Sequence, residues 1–153
     1  MIKYNKKFMM EAFDLALKGF EKGEVPIGAV MVRDEKIISR QFNRVEELKD
    51  SSAHAEILAV RDSSEKLKNS KLVKTSLYVT LEPCIMCMSS LAMARVDNIY
   101  FGAFDKRFGF LSTGCSINLL KRFNKNIVVE GGFFKEQSSY ILKTFFKILR
   151  ERE

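Results

Sequence analysis

The chain has no tryptophan, two prolines, three cysteines and a single histidine among its 153 residues. A small and odd number of cysteines argues against a disulfide framework and for a reducing compartment. Linker-like tracts, repeats and low-complexity segments are absent, so one domain over 1–153 is expected. Long apolar runs are missing as well. The stretch at 29–32 is far short of a membrane span, and the opening Met1-Ile2-Lys3-Tyr4-Asn5-Lys6-Lys7 has no apolar signal-peptide stretch behind it. These absences point to the cytoplasm and give no sign of a membrane partner.

What is present bounds the rest. A hydrophobic content of 46% over this length is enough for a true core. The net charge of +7, from 26 Lys and Arg against 19 Asp and Glu, favours polyanionic partners, chiefly nucleic acid, through release of condensed counterions. Basic small proteins without nucleic-acid partners are common, so charge alone decides nothing.

The periodicities suggest alternating elements. Phe8, Ala12, Leu15, Ala16 and Gly19 fall at helical spacing, with Asn5 as N-cap and Gly23 as stop. Residues 27–32 read as a buried strand, paired across a turn at Asp34-Glu35 with a strand over 36–42. A loop over 43–52 precedes a helix over 55–66, a strand over 77–81 and a second central helix over 85–94. Further strands are expected at 99–103 and 127–129. A C-terminal helix over 134–150 carries Phe134, Ile141, Leu142, Phe145 and Leu149 as its apolar stripe. This alternation implies an α/β layered fold with at least one parallel crossover.

The one histidine lies in His54-Ala55-Glu56, and Pro83-Cys84-Ile85-Met86-Cys87 follows downstream. His-x-Glu with Pro-Cys-x-x-Cys is the signature of zinc-dependent nucleobase deaminases. Residues two apart point to opposite sides of a helix, so His54 and Glu56 can converge only where the chain enters one. Cys84 and Cys87, three apart, share a helical face, and Pro83 suits a first turn. Both halves therefore belong at helix N-termini, where the partial positive charge favours thiolate over thiol. An imidazole and two thiolates leave a fourth tetrahedral position for water, with Glu56 as the base that moves its proton.

Other readings of the same residues stay open. A lone His at a loop–helix junction is usually a satisfied polar residue, and a lone Cys-x-x-Cys is also found as a redox pair. Cys115 as a fourth ligand would close the site and make the zinc structural; the commoner fate of such a cysteine is a buried small hydrophobe.

The segments Val25-Pro26-Ile27-Gly28-Ala29-Val30, Asn43-Arg44, Ala53-His54-Ala55-Glu56, Leu77-Tyr78-Val79-Thr80-Leu81-Glu82-Pro83-Cys84-Ile85-Met86-Cys87 and Phe101-Gly102-Ala103 span nearly the whole chain in order. In them the chain resembles the bacterial tRNA-specific adenosine deaminases of the cytidine deaminase-like superfamily. The resemblance implies a three-layer α/β/α fold around a five-stranded mixed sheet, a homodimer, and conversion of a wobble adenosine in a tRNA anticodon stem-loop to inosine. It implies His54, Cys84 and Cys87 as ligands of one Zn2+ per subunit and Glu56 as proton shuttle, with no organic cofactor. Asn43 would hydrogen-bond the flipped base, with Ile27 and the Ala55 backbone lining its pocket. Asp105 would touch the sugar of a neighbouring nucleotide, and the Phe145-Phe146 pair would lie near the RNA.

Some of these assignments have plain competitors. Asn43 also suits a turn cap. Phe145 fits the core stripe, which leaves Phe146 as the better RNA candidate. Lys143, Lys147, Arg150 and Arg152 suit a solvated face as well as a phosphate track. The loop at 106–114 departs from the small, Gly- and Ala-rich loop usual in the family. In it Phe108 and Phe110 would stack on splayed bases or, as the preferred reading, pack against the partner subunit. Two further functions share much of this sequence: a deaminase of a free base or nucleoside such as guanine or cytosine, and a non-catalytic module with structural zinc.

Overall fold

The computed structural model describes residues 3–153; Met1 and Ile2, part of the N-terminal stretch read above, lie outside the described residues. Asn5 starts the first helix as expected: its side-chain oxygen accepts the Lys7 N–H, and α1 runs over Lys6–Glu21. Gly23, at φ +80°, then turns the chain away. The first strand begins at Gly28, where any Cβ would collide with the Ala12 carbonyl oxygen of α1, so helix and strand approach closely only over glycine.

β1 (Gly28–Arg33) and β2 (Lys36–Phe42) form an antiparallel hairpin. Asp34 and Glu35 make its two-residue turn, both with positive φ, the backbone form whose twist matches that of the strands. Next come α2 (Val45–Leu48), α3 (Ala55–Leu67), β3 (Thr75–Leu81), α4 (Ile85–Met93) and β4 (Asn98–Ala103). The chain closes with α5 (Ile117–Leu120), β5 (Val128–Glu130) and α6 (Lys135–Glu151). The short helices α2 and α5 lie where periodicity gave only connecting chain.

Among the described residues five strands form one mixed sheet in the order β2-β1-β3-β4-β5. β1 runs antiparallel to both neighbours, while β3, β4 and β5 are parallel, joined by crossovers such as the one through α4. Successive side chains alternate between faces, and each face has its own core. Ala29, Met31, Leu77, Val79, Ile99 and Phe101 meet Ala55 and Ala59 of α3 and Met88, Leu91 and Ala92 of α4. Val30, Val32, Tyr78 and Tyr100 point the other way, against Phe8, Met9, Ala12 and Leu15 of α1. Helices cover both faces, which is why β1 and β3 read as nearly continuous apolar runs. The result is the expected three-layer α/β/α fold.

The apolar stripe expected on α6 is only partly used. Ile141 and Ser138 are buried, Phe145 is half-buried and Leu149 is 44% exposed. The second half of α6 extends past the sheet, so its apolar side chains meet a cleft instead of the core. That cleft lies at one end of the sheet. The entry to β1 and the exits of β2, β3 and β4 all converge there, the position in which α/β sheets hold their ligands.

Candidate active site

Two loop–helix junctions build the centre of the site. His54 is the extended residue before α3 and Cys84 the extended residue before α4, while Cys87 sits one turn into α4. His54 Nδ1 lies 3.3 Å from Cys87 Sγ and 3.8 Å from Cys84 Sγ, and the three ligand atoms all lie within 4.8 Å of one another. Zinc bonds of roughly 2.1 Å to nitrogen and 2.3 Å to sulfur give tetrahedral edges of about 3.5–3.8 Å, so this donor set fits one metal ion. Cys115 is not part of the group; it is half-buried beside the core and its N–H bonds the Phe110 carbonyl oxygen.

The helix N-terminus was expected to favour thiolate at both cysteines. Without a cation the two sulfurs shift in opposite directions, Cys84 towards thiolate and Cys87 towards thiol. A hydrogen bond from Cys87 is the largest influence lowering Cys84 to about 4, while that same bond and burial push the Cys87 thiol up. Two thiolates side by side require a cation between them. The His54 imidazole is raised, chiefly by its hydrogen bond with Cys84 and against the effect of burial.

Glu56 lies in the first turn of α3, buried, and its Oε1 has no hydrogen-bond partner among the described residues. Burial pushes its carboxyl up from 4.5 to about 7. A carboxyl poised near neutrality with one oxygen left free is suited to transferring protons.

His54, Glu56 and Cys84 line a cleft of about 800 Å3, within the range of small-molecule sites. Ile27, Asn43, Asp105 and Phe146 are on the same walls. Ala55 is not: it is fully buried, and its N–H donates 2.8 Å to Asn43 Oδ1. Asn43 therefore does hold a helix start, and it lines the cleft as well. Asp105 Oδ1 accepts the N–H groups of Arg107 and Phe108, an Asx turn that holds its own loop. Phe145 departs from the core-stripe expectation: it lines the cleft beside Phe146, with Phe20 packed edge-on against it at 5.7 Å.

Two buried carboxylates in these walls went unassigned in the sequence. Glu24 accepts the N–H groups of Glu46 and Glu47, at 3.0 and 2.9 Å, and so holds the first turn of α2 beside Asn43. Glu82 accepts the Asp105 N–H at 3.0 Å, the Ser112 N–H at 2.8 Å and the Ser112 hydroxyl. The available signal was an acid inside an apolar setting, Glu24-Val25-Pro26-Ile27 and Leu81-Glu82-Pro83. Within the loop that Glu82 holds, Phe110 is fully buried in the chain's own core, so neither expectation for it, base stacking or packing on a partner, is met. Phe108 remains exposed at the cleft.

Comparison with known proteins converges on one chemistry. The family model of the MafB19-like deaminases matches residues 4–150. The tRNA-specific adenosine deaminase of Aquifex aeolicus is 42% identical over 144 residues, covering 94% of each chain. That of Bacillus subtilis is 42% identical over 148 residues, covering 95% of this chain and 91% of that protein. A solved structure from studies of A-to-I editing by tRNA:A34 deaminases superposes with a TM-score of 0.83 at 37% identity, covering 90% of this chain and all of that one.

Proposed function

The chain belongs to the MafB19-like deaminases and to the family of the tRNA-specific adenosine deaminases, and on that premise we propose that it converts the wobble adenosine of a tRNA anticodon stem-loop to inosine. The observation that carries the proposal is the Glu56 carboxyl, its Oε1 without a hydrogen bond, buried beside the His54, Cys84 and Cys87 ligand group at the wall of an open cleft. Zn2+, one per subunit, is the ion we assign to that group, since two thiolates and an imidazole are a zinc donor set.

When bound, zinc supplies the Lewis acidity that lets water attack at neutral pH. Glu56 takes the proton from the attacking water and delivers it to a ring nitrogen, which makes the amine-bearing carbon electrophilic. A C–O bond forms at that carbon; Glu56 then takes the remaining hydroxyl proton and passes it to the amine, and the C–N bond breaks to release ammonia as the carbonyl forms. Asn43, with Oδ1 engaged by Ala55, offers its amide N–H groups to the flipped base, so Ala55 acts by orienting Asn43. Ile27 packs beside the base. Asp105 accepts from a ribose hydroxyl of the neighbouring nucleotide, and Phe146, 40% exposed, meets the RNA from α6.

The fold is a homodimer in this proposal, for which the exposed Ile85, Met86 and Met93 of α4 supply apolar surface. The cytoplasm suits its three free cysteines. Among the described residues no helix is long and apolar enough to cross a membrane.

The test is incubation with an in vitro transcribed stem-loop carrying a wobble adenosine, reading inosine and metal content. Glu56→Ala is expected to keep one zinc per chain and lose turnover by at least about 100-fold, while Cys115→Ser changes neither. Ammonia release from guanine without inosine from the RNA would favour the free-base reading. Zinc loss on Cys115→Ser would favour the structural one. RNA affinity should also fall steeply with salt, because several phosphates are neutralised.

A further inference from the structure

We infer that Phe108, with Arg107 behind it, is a base-stacking subsite at the rim of the cleft, taking the nucleobase next to the one that reacts. The inference rests on the RNA reading above. Phe108 is 59% exposed, yet it lines the same cleft as Glu56 and Cys84. The Arg107 guanidinium lies over its ring, 4.9 Å from the centroid. A guanidinium on a ring makes a flat cationic stack, the arrangement that single-stranded nucleic acid recognises through base faces and phosphate charge.

The backbone beneath the ring is held in place, which separates it from an aromatic on a free loop. Asp105 Oδ1 accepts the N–H of Arg107 at 3.0 Å and that of Phe108 at 3.1 Å, and the Asp105 carbonyl accepts the Gly109 N–H at 2.8 Å. Glu82 fastens both ends of the loop, at Asp105 and Ser112. Gly109 sits so close to the Glu82 carboxyl that a Cβ would overlap it, and Phe110 anchors the loop in the core. A base arriving at Phe108 thus meets a loop whose backbone is already ordered, which lowers the entropic cost of stacking. The side chain neighbouring the platform on the cleft wall, Asp105, is the one assigned to a ribose in the same substrate.

The test is a cycle between protein and RNA. Phe108→Ala is expected to lower kcat/KM on the intact stem-loop by about 5- to 100-fold, mostly through KM, the range set by loss of one base–aromatic stack. Phe108→Tyr should restore it. Removing the base at one nucleotide flanking the wobble adenosine should harm the wild type similarly and Phe108→Ala hardly further. Zinc content and melting temperature of the variants serve as controls for folding. If the protein and RNA changes multiply at both flanks, or if Phe108→Ala merely splits a dimer into monomers without such coupling, the subsite is wrong while the deaminase reading stands. A wild type that makes no inosine on the intact RNA overturns the deaminase reading itself.

Discussion

Glu82 offers the most quantitative check on how this cleft is built. Its carboxylate is 2% exposed, and each oxygen takes a different backbone N–H: Oε1 that of Asp105, Oε2 that of Ser112. Glu82→Gln preserves the volume but leaves one oxygen. One N–H is then stranded, at about 1–3 kcal/mol, and the other bond loses its charge, at about 1 kcal/mol. The expected loss is about 3 kcal/mol, or a Tm lower by roughly 6–12 °C for a chain of this size. Glu82→Ala strands both N–H groups and opens a cavity, so it should cost more than the Gln variant. Urea unfolding followed by circular dichroism, at one fixed excess of zinc and one protein concentration, reads both values, since ligand and subunit concentration shift apparent stability. The same loop carries Asp105, Arg107 and Phe108 into the cleft, so KM for the stem-loop should rise with the destabilisation. Two variants within about 0.5 kcal/mol of the wild type would refute the view that this carboxylate holds the loop.

Asn43→Ala removes the acceptor for the buried Ala55 N–H and should cost about 1–3 kcal/mol; Asn43→Asp keeps the acceptor and should regain most of that stability but not turnover, and equal unfolding midpoints for the two would show that the bond carries no weight. In metal-free protein the Glu56 carboxyl, at about 7 against an ordinary 4.5, keeps its proton in the folded state after the unfolded chain has lost it. Stability should therefore fall as pH rises across that window, by about 3 kcal/mol relative to Glu56→Gln. Urea unfolding in chelator from pH 4 to 8 measures it, and a wild type that gains on the variant with rising pH would contradict the assignment.

The local signals were legible where local physics decides. Asn5 capped the first helix, Asp34-Glu35 turned the hairpin, and both motif halves landed at helix starts, His54-Ala55-Glu56 because residues two apart converge only there and Cys84 because Pro83 suits a first turn. The helical turn at α2 was not legible, because its first N–H groups are satisfied by Glu24, 22 residues upstream of Glu46. Phe145 and Phe110 exchanged the burial their patterns suggested. α6 overruns the edge of its support and leaves Phe145 over the cleft, whereas the loop held by Glu82 folds Phe110 inward.

By itself the sequence named a donor set, an imidazole and two thiols with a carboxylate close by in the chain, that the structure brings together as one group able to hold a metal ion. It also determined the layered fold, because hydrophobic period is a local quantity. Only the tertiary structure decided which side chains wall the cleft. Glu24, Glu82, Phe108 and Phe145 gain their roles from neighbours brought close by the sheet. A buried carboxylate is satisfied, and a ring exposed, by what the fold places beside it, and contacts of that kind leave no period in the chain.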